Sequence, residues 1–309
     1  MIEAKNLAKV YGDKCAVDDL SFVVRPGVVT GFLGPNGSGK STTMRLILGL
    51  DAPTRGDVTV NGRHYREHRA PLHEVGALLE ARSVHTGRSA YNHLLALAQT
   101  HGISRRRVGE LVELVGLGDV AGKRAGKFSL GMGQRLGIAT ALLGDPSTLL
   151  LDEPANGLDP EGIHWMRNLL KGLAGEGRTV FVSSHLMSEM ALTADHLIVI
   201  GRGALIADTS VEEFVRRASK NVVRVRSPQA ARLSELLVGG DVTAVAVEPG
   251  VLEVVGLTAA EIGEAAAANQ IVLHELVAQQ ASLEEAFMTL TSDGVEFKAT
   301  GPAPEREAA

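Results

Sequence analysis

The octapeptide Gly34-Pro35-Asn36-Gly37-Ser38-Gly39-Lys40-Ser41 limits what this chain can fold into more than any other segment. It satisfies G-x-x-x-x-G-K-[ST] at every fixed position. Its context is the required one: the apolar run Val28 to Leu33 precedes it, and a helical pattern from Thr42 to Leu50 follows. A strand, a glycine-rich turn and a helix in that order aim several backbone N–H groups at one point. The helix directs its positive end to the same point. Such a concavity suits phosphate oxygens. Lys40 is placed to reach the β and γ phosphates of a nucleotide, the Ser41 hydroxyl to hold Mg2+, and Thr42 to open the helix. A glycine-rich turn matching by chance would need neither the strand nor the helix.

A second segment supplies acids. Leu149-Leu150-Leu151-Asp152-Glu153 reads as a buried strand ending in two carboxylates. Asp152 is placed to bind Mg2+ through water, and Glu153 to orient or deprotonate an attacking water. Two adjacent acids are ordinarily a solvated strand end. Following a buried strand and a complete phosphate loop, they read as a catalytic pair.

The rest of the chain is organised around these segments. Further apolar runs at Thr179 to Val182 and Leu197 to Ile200 suit parallel strands covered on both faces. Between the two motifs, about 84–143, helical patterns dominate: Ala90 to Gln99, Arg105 to Val115 and Gln134 to Leu143. The texture changes near Ser219. A strand is expected at Asn221 to Arg226, a helix at Ala230 to Leu237, and a hairpin of Val242 to Val247 and Val251 to Val255 turning at Pro249-Gly250. Thr258 with Glu261, and Ser282 with Glu285, match capping boxes that start two more helices, with a strand at Ile271 to Leu276 between them. This order, strand-helix-strand-strand-helix-strand, is that of a small split βαββαβ sandwich.

Composition removes several classes. The formal net charge of -5 argues against a nucleic-acid binder, which carries a basic face. One cysteine, Cys15, permits no internal disulfide and suits a reducing compartment. The opening MIEAKNLAKVYGDK lacks the apolar core of a secretory leader. The most apolar stretch, Leu136 to Leu151, is broken by Gly144, Asp145 and Pro146, short of a bilayer span.

On these motifs the chain resembles the ATP-binding subunits of ATP-binding cassette (ABC) transporters over roughly Met1 to Val215. Pro154-Ala155-Asn156-Gly157-Leu158-Asp159-Pro160 resembles the D-loop, and Val182-Ser183-Ser184-His185 the switch-histidine segment. The resemblance implies that His185 senses the γ-phosphate and that Tyr11 stacks on adenine. Phe128-Ser129-Leu130-Gly131-Met132-Gly133-Gln134-Arg135 stands where the signature LSGGQ is found: Ser129 and Gly131 are kept, Leu130 and Met132 replace Gly and Gln. Glu80 occupies the Q-loop position, where most relatives carry Gln; ionised, it is an acceptor only. Both departures are similar to the bacitracin-resistance branch of exporters.

The implied fold is α/β: a P-loop NTPase cassette, a mixed sheet core with a helical subdomain, followed by a small α+β accessory domain. The expected boundaries are 1–217 for the cassette, 218–295 for the accessory domain and 296–309 for a disordered tail. Implied too are ATP and Mg2+, with Ser41, Asp152 and Glu80 on the metal, Lys40, Glu153 and His185 in catalysis, and Ser129, Gly131 and Asp159 facing a second ATP-binding subunit, identical or not. Separate transmembrane permease subunits would hold the chain at the cytoplasmic face of the cell membrane, with no nucleic acid involved. Two alternatives compete. A soluble cassette ATPase acting on ribosomes or nucleic acid usually carries two cassettes, or a long coiled coil, and neither is present. An unrelated P-loop kinase would lack the segments at Ser129, Asp159 and His185.

Overall fold

The computed structural model describes residues 1–80, 84–218, 222–240, 242–279 and 282–291. Two long strands come first, β1 (Ile2–Tyr11) and β2 (Lys14–Val24), paired antiparallel with three register shifts. The five residues of β3 (Val29–Leu33) are buried throughout, and the glycine-rich loop carries the chain from β3 into α1 (Lys40–Ile47). Next come β4 (Arg55–Val60), α2 (Pro71–Glu74) and β5 (Val75–Leu78). A helical block follows: α3 (Ala90–Thr100), α4 (Arg105–Leu114) and α5 (Leu130–Ala141). The chain then alternates β6 (Thr148–Asp152), α6 (Pro160–Gly175), β7 (Thr179–Ser184), α7 (Met187–Thr193), β8 (His196–Gly201) and β9 (Ala204–Ser210).

One sheet runs β5-β6-β7-β3-β8-β9, parallel except for the edge strand β9. Because these strands are parallel, the phosphate loop after β3, Asp152-Glu153 at the end of β6 and His185 after β7 emerge along one edge. That edge is where open α/β sheets bind ligands. A second sheet, β2-β1-β4, is antiparallel. Three rings tie the sheets together: Phe32 and Phe181 lie 4.9 Å apart, with Phe22 of β2 at 6.0 and 5.8 Å from them. Each such buried ring contributes about 1.5–3 kcal/mol, as an upper estimate. The consequence for the site is positional. β2 is pressed onto the phosphate loop, so that a Cβ on Gly39 would stand 2.4 Å from the Ala16 carbonyl oxygen.

The chain divides into two compact units, Met1–Ser210 and Val211–Leu290. The division falls ahead of residue 217, because α8 (Val211–Ala218) belongs to the second unit. No glycine or proline separates β9 from α8, so the sequence carries no punctuation there. The second unit continues with β10 (Val222–Arg226), α9 (Ala230–Leu237), β11 (Thr243–Glu248), β12 (Val251–Val255), α10 (Ala259–Ala268), β13 (Glu275–Gln279) and α11 (Leu283–Thr291). Its sheet, β11-β12-β10-β13, is antiparallel throughout. Both capping boxes are made: Thr258 with Glu261 and Ser282 with Glu285.

Two expectations shift. α5 begins at Leu130, four residues ahead of Gln134, because Ser129 caps it by accepting the Met132 N–H at 3.2 Å. The last strand is Glu275–Gln279 rather than Ile271 to Leu276. Ile271 is buried in the second core, and the Val272 N–H and C=O are taken by the side chains of Gln229 and Ser227. An apolar run of this length reads alike as core plug or strand. Asn221, Ala281 and the expected tail 296–309 lie outside the described residues.

Candidate functional site

The loop residues Asn36 to Thr42 line a cavity of about 430 Å3, together with Tyr11, Lys14 and Ala16 from the β1–β2 hairpin and Asp152 and Glu153 from the end of β6. Gly39 caps α1 with φ 103°, a conformation closed to residues with a Cβ, and the close approach of Ala16 excludes a larger side chain as well. Lys40 folds back on the loop. Its Nζ donates to the carbonyls of Gly34 at 2.6 Å and Pro35 at 3.2 Å and is almost fully buried. Burial holds the Lys40 ammonium below the ordinary lysine range, while the carboxylates of Glu153 and Asp152 pull the other way. A cation confined in this loop, its charged form disfavoured by burial, is matched by an incoming anion. Ser38 points a buried hydroxyl, without a hydrogen-bond partner among the described residues, within the same loop.

Below the loop the carboxylates are fixed. The Ser41 hydroxyl donates to Asp152 Oδ2 at 2.7 Å, and the Ser183 hydroxyl to Oδ1. Glu153 has a left-handed backbone, φ 50°. Conformations of this kind cost about 1–3 kcal/mol and mark sites where surrounding structure imposes them. His185 Nδ1 lies 2.7 Å from Glu153 Oε2, and the imidazole is half exposed. The arrangement offers a carboxylate oriented by a histidine, next to a hydroxyl–carboxylate pair of hard oxygen donors and a loop built for phosphate.

The remaining expected residues are placed variously. Tyr11 is largely exposed, and its hydroxyl donates to Asp51 Oδ2 at 2.8 Å. Desolvation and that bond raise the phenol, while hydrogen bonds from Arg45 and Tyr11 hold Asp51 at about 2. Lys9 Nζ stands 4.8 Å over the Tyr11 ring. Glu80 is exposed just past β5; Leu79, not Glu80, joins the cavity lining. Asp159 caps α6, accepting the Gly162 N–H at 3.0 Å. Ser129 lines a different cavity, with Val84, Thr86 and Phe128. Gly131 packs on the D-loop-like stretch: a Cβ there would stand 2.6 Å from the Gly157 carbonyl oxygen. A wider groove of about 680 Å3 lies elsewhere, between the two sheets, where Lys5 pairs with Glu3 and His196 with Asp208. Chemistry rather than volume singles out the loop cavity.

Sequence reasoning missed Ser183, which holds Asp152, and Gln134, whose Nε2 donates to the Glu153 carbonyl at 2.9 Å. A signal for Ser183 exists: two serines end an otherwise apolar strand.

A family model described as ABC transporter matches residues 17–156, and one described as a domain of unknown function matches 221–284. The bacitracin transport ATP-binding protein BcrA of Bacillus licheniformis is 41% identical over 223 residues, 71% of this chain and 73% of that protein. The lantibiotic transport ATP-binding protein SrtF of Streptococcus pyogenes is 36% identical over 208 residues, 67% of this chain and 90% of that protein. Among solved structures, a dimeric post-hydrolysis state of an ATP-binding cassette bound to ADP and Pi aligns with a TM-score of 0.63 at 25% identity, over 68% of this chain and 98% of that one. The chain belongs to the ATP-binding subunits of ABC transporters, and its activity is that of an ATPase. The soluble ribosome- or nucleic-acid-directed alternative is set aside by these relatives.

Proposed function

We propose that this chain is the cytoplasmic-face motor of an exporter of antibiotic-type compounds, in which two ATP-binding subunits enclose ATP and drive separate membrane-spanning permease subunits. One observation carries the reading. Lys40, Ser41, Asp152, Glu153 and His185 gather at one sheet edge, while Ser129 opens on another cavity, so one chain presents two half-sites. Ser129 accepts the Met132 N–H and keeps its own O–H for a phosphate brought by a partner. Among the described residues no helix is long and apolar enough to cross a membrane, in keeping with a permease made separately.

In this mechanism the loop N–H groups and Lys40 bind the β and γ phosphates, and Tyr11, anchored by Asp51, offers its ring to adenine. Ser41 and Asp152 are the residues that would hold Mg2+; their paired oxygens fit a hard cation that keeps most of its water. The ion, when bound, supplies positive charge against the phosphate oxygens. Glu153 takes the proton of the attacking water, and His185 fixes the direction of that carboxylate.

The test is purification of the chain from its native membranes in mild detergent, with mass spectrometry of what accompanies it. A stoichiometric polytopic membrane protein is expected. A soluble preparation carrying only ribosomal or DNA-associated proteins would overturn the reading.

A further inference from the structure

We infer that Gln134 is a positioning residue for Glu153, and that it joins the half-site this chain keeps to the half-site it offers a partner. The inference rests on the roles proposed above for Glu153 and Ser129. Glu153 has a Cβ yet holds φ 50°, so its peptide must be kept in place from outside. On the N–H side, the Ser183 hydroxyl and carbonyl accept at 3.0 and 3.3 Å. On the carbonyl side, Gln134 Nε2 donates at 2.9 Å from a side chain only 3% exposed. An apolar side chain would fill this buried position without the cost of desolvating an amide. The amide's product is the bond to the Glu153 peptide.

Packing strengthens the link. Gln134 lies on α5, one turn beyond its cap Ser129. The start of that helix presses on the stretch after Glu153. A Cβ on Gly131 would stand 2.6 Å from the Gly157 oxygen, and one on Gly157 would stand 2.4 Å from Leu130 Cδ2. Residues 129–134 and 153–157 thus form one packed block. Any shift of the α5 start when an anion reaches Ser129 passes to the Glu153 peptide through Gln134.

The experiment compares Gln134→Met with Glu153→Gln and wild type in the purified full chain, measuring kcat, KM for ATP, equilibrium binding of a fluorescent ATP analogue, and melting temperature. Methionine keeps the length of Gln134 and removes the donor. The expected result for Gln134→Met is a kcat lower by about 10–100-fold, with KM, analogue binding and melting unchanged, since a base displaced by about 1 Å loses that much. An unchanged kcat in folded Gln134→Met, with Glu153→Gln inactive, overturns the inference and leaves the proposed function standing. A parallel fall of kcat, binding and melting assigns Gln134 a structural role only and also overturns it. Wild-type turnover in Glu153→Gln removes the role of Glu153 itself, and this inference with it.

Discussion

Gly39 in the first unit and Gly263 in the second answer the same imagined substitution differently. A Cβ on Gly39 meets the Ala16 carbonyl at 2.4 Å and a backbone at φ 103°; one on Gly263 meets Leu276 Cδ2 at an ordinary 3.4 Å, within α10. The contrast extends beyond glycines. The first unit buries a lysine, holds Glu153 left-handed and leaves a buried Ser38 hydroxyl without a hydrogen-bond partner among the described residues. The second makes its capping boxes, pairs its strands in register along β10 and fills its core with Val223, Val225, Leu233 and Val254. Its own left-handed Gln270 follows the end of α10, where helices commonly close that way. Around the loop cavity Gly39, Lys40, Ser38 and Glu153 break local rules, whereas the caps and strand pairs of the second unit keep them.

The largest expected effect tests the first side of this contrast. Glu153→Gln lowers ATP turnover by about 10²–10⁴-fold and leaves nucleotide binding intact, as for loss of a general base. Turnover near wild type would mean that the left-handed residue is not the working carboxylate. Next, Leu233→Ala removes a fully buried side chain and destabilises the second unit by about 2–5 kcal/mol, leaving the ATP KM unchanged. Denaturant unfolding and steady-state kinetics on one preparation check both halves. The paired glycines sharpen the comparison directly. Gly39→Ala abolishes binding of a fluorescent ATP analogue, whereas Gly263→Ala binds normally and gains about 0.5–1 kcal/mol from better helix propensity. Equal behaviour of the two variants breaks the comparison.

The smallest effect concerns Asp51, held at about 2 against an ordinary 3.8. A carboxylate lowered on folding adds stability that is present above 3.8 and fades as pH falls toward 2. Asp51→Asn should flatten that part of the stability–pH curve. It should also raise the ATP KM by about two- to threefold, as a stacking Tyr11 loses its anchor. A KM unchanged within error would separate Tyr11 from adenine binding.

What the sequence made legible follows the same division. The phosphate loop and the acids after β6 declared themselves because backbone curling, a helix start and a buried strand each demand particular residues at fixed spacing. The antiparallel strands β1, β2 and β4 escaped, since their bulges and half-exposed faces blur the period of two. The start of α5 was hidden by Gly131 and Gly133, poor helix formers whose position is set by the D-loop packed against Gly131. Gln134 was invisible as a site residue because its role arises from a contact 19 positions away along the chain, to Glu153, whereas the paired serines ending β7 did signal Ser183, though not its contact with Glu153 30 positions away.

The claim that one chain carries two half-sites is tested most directly by mixing Ser129→Arg and Glu153→Gln chains, each inactive alone, and measuring ATPase activity. Random pairing gives mixed dimers that contain one intact site each, so turnover should recover to about a quarter of wild type. No recovery, with pairing of the two chains verified, would contradict a shared site.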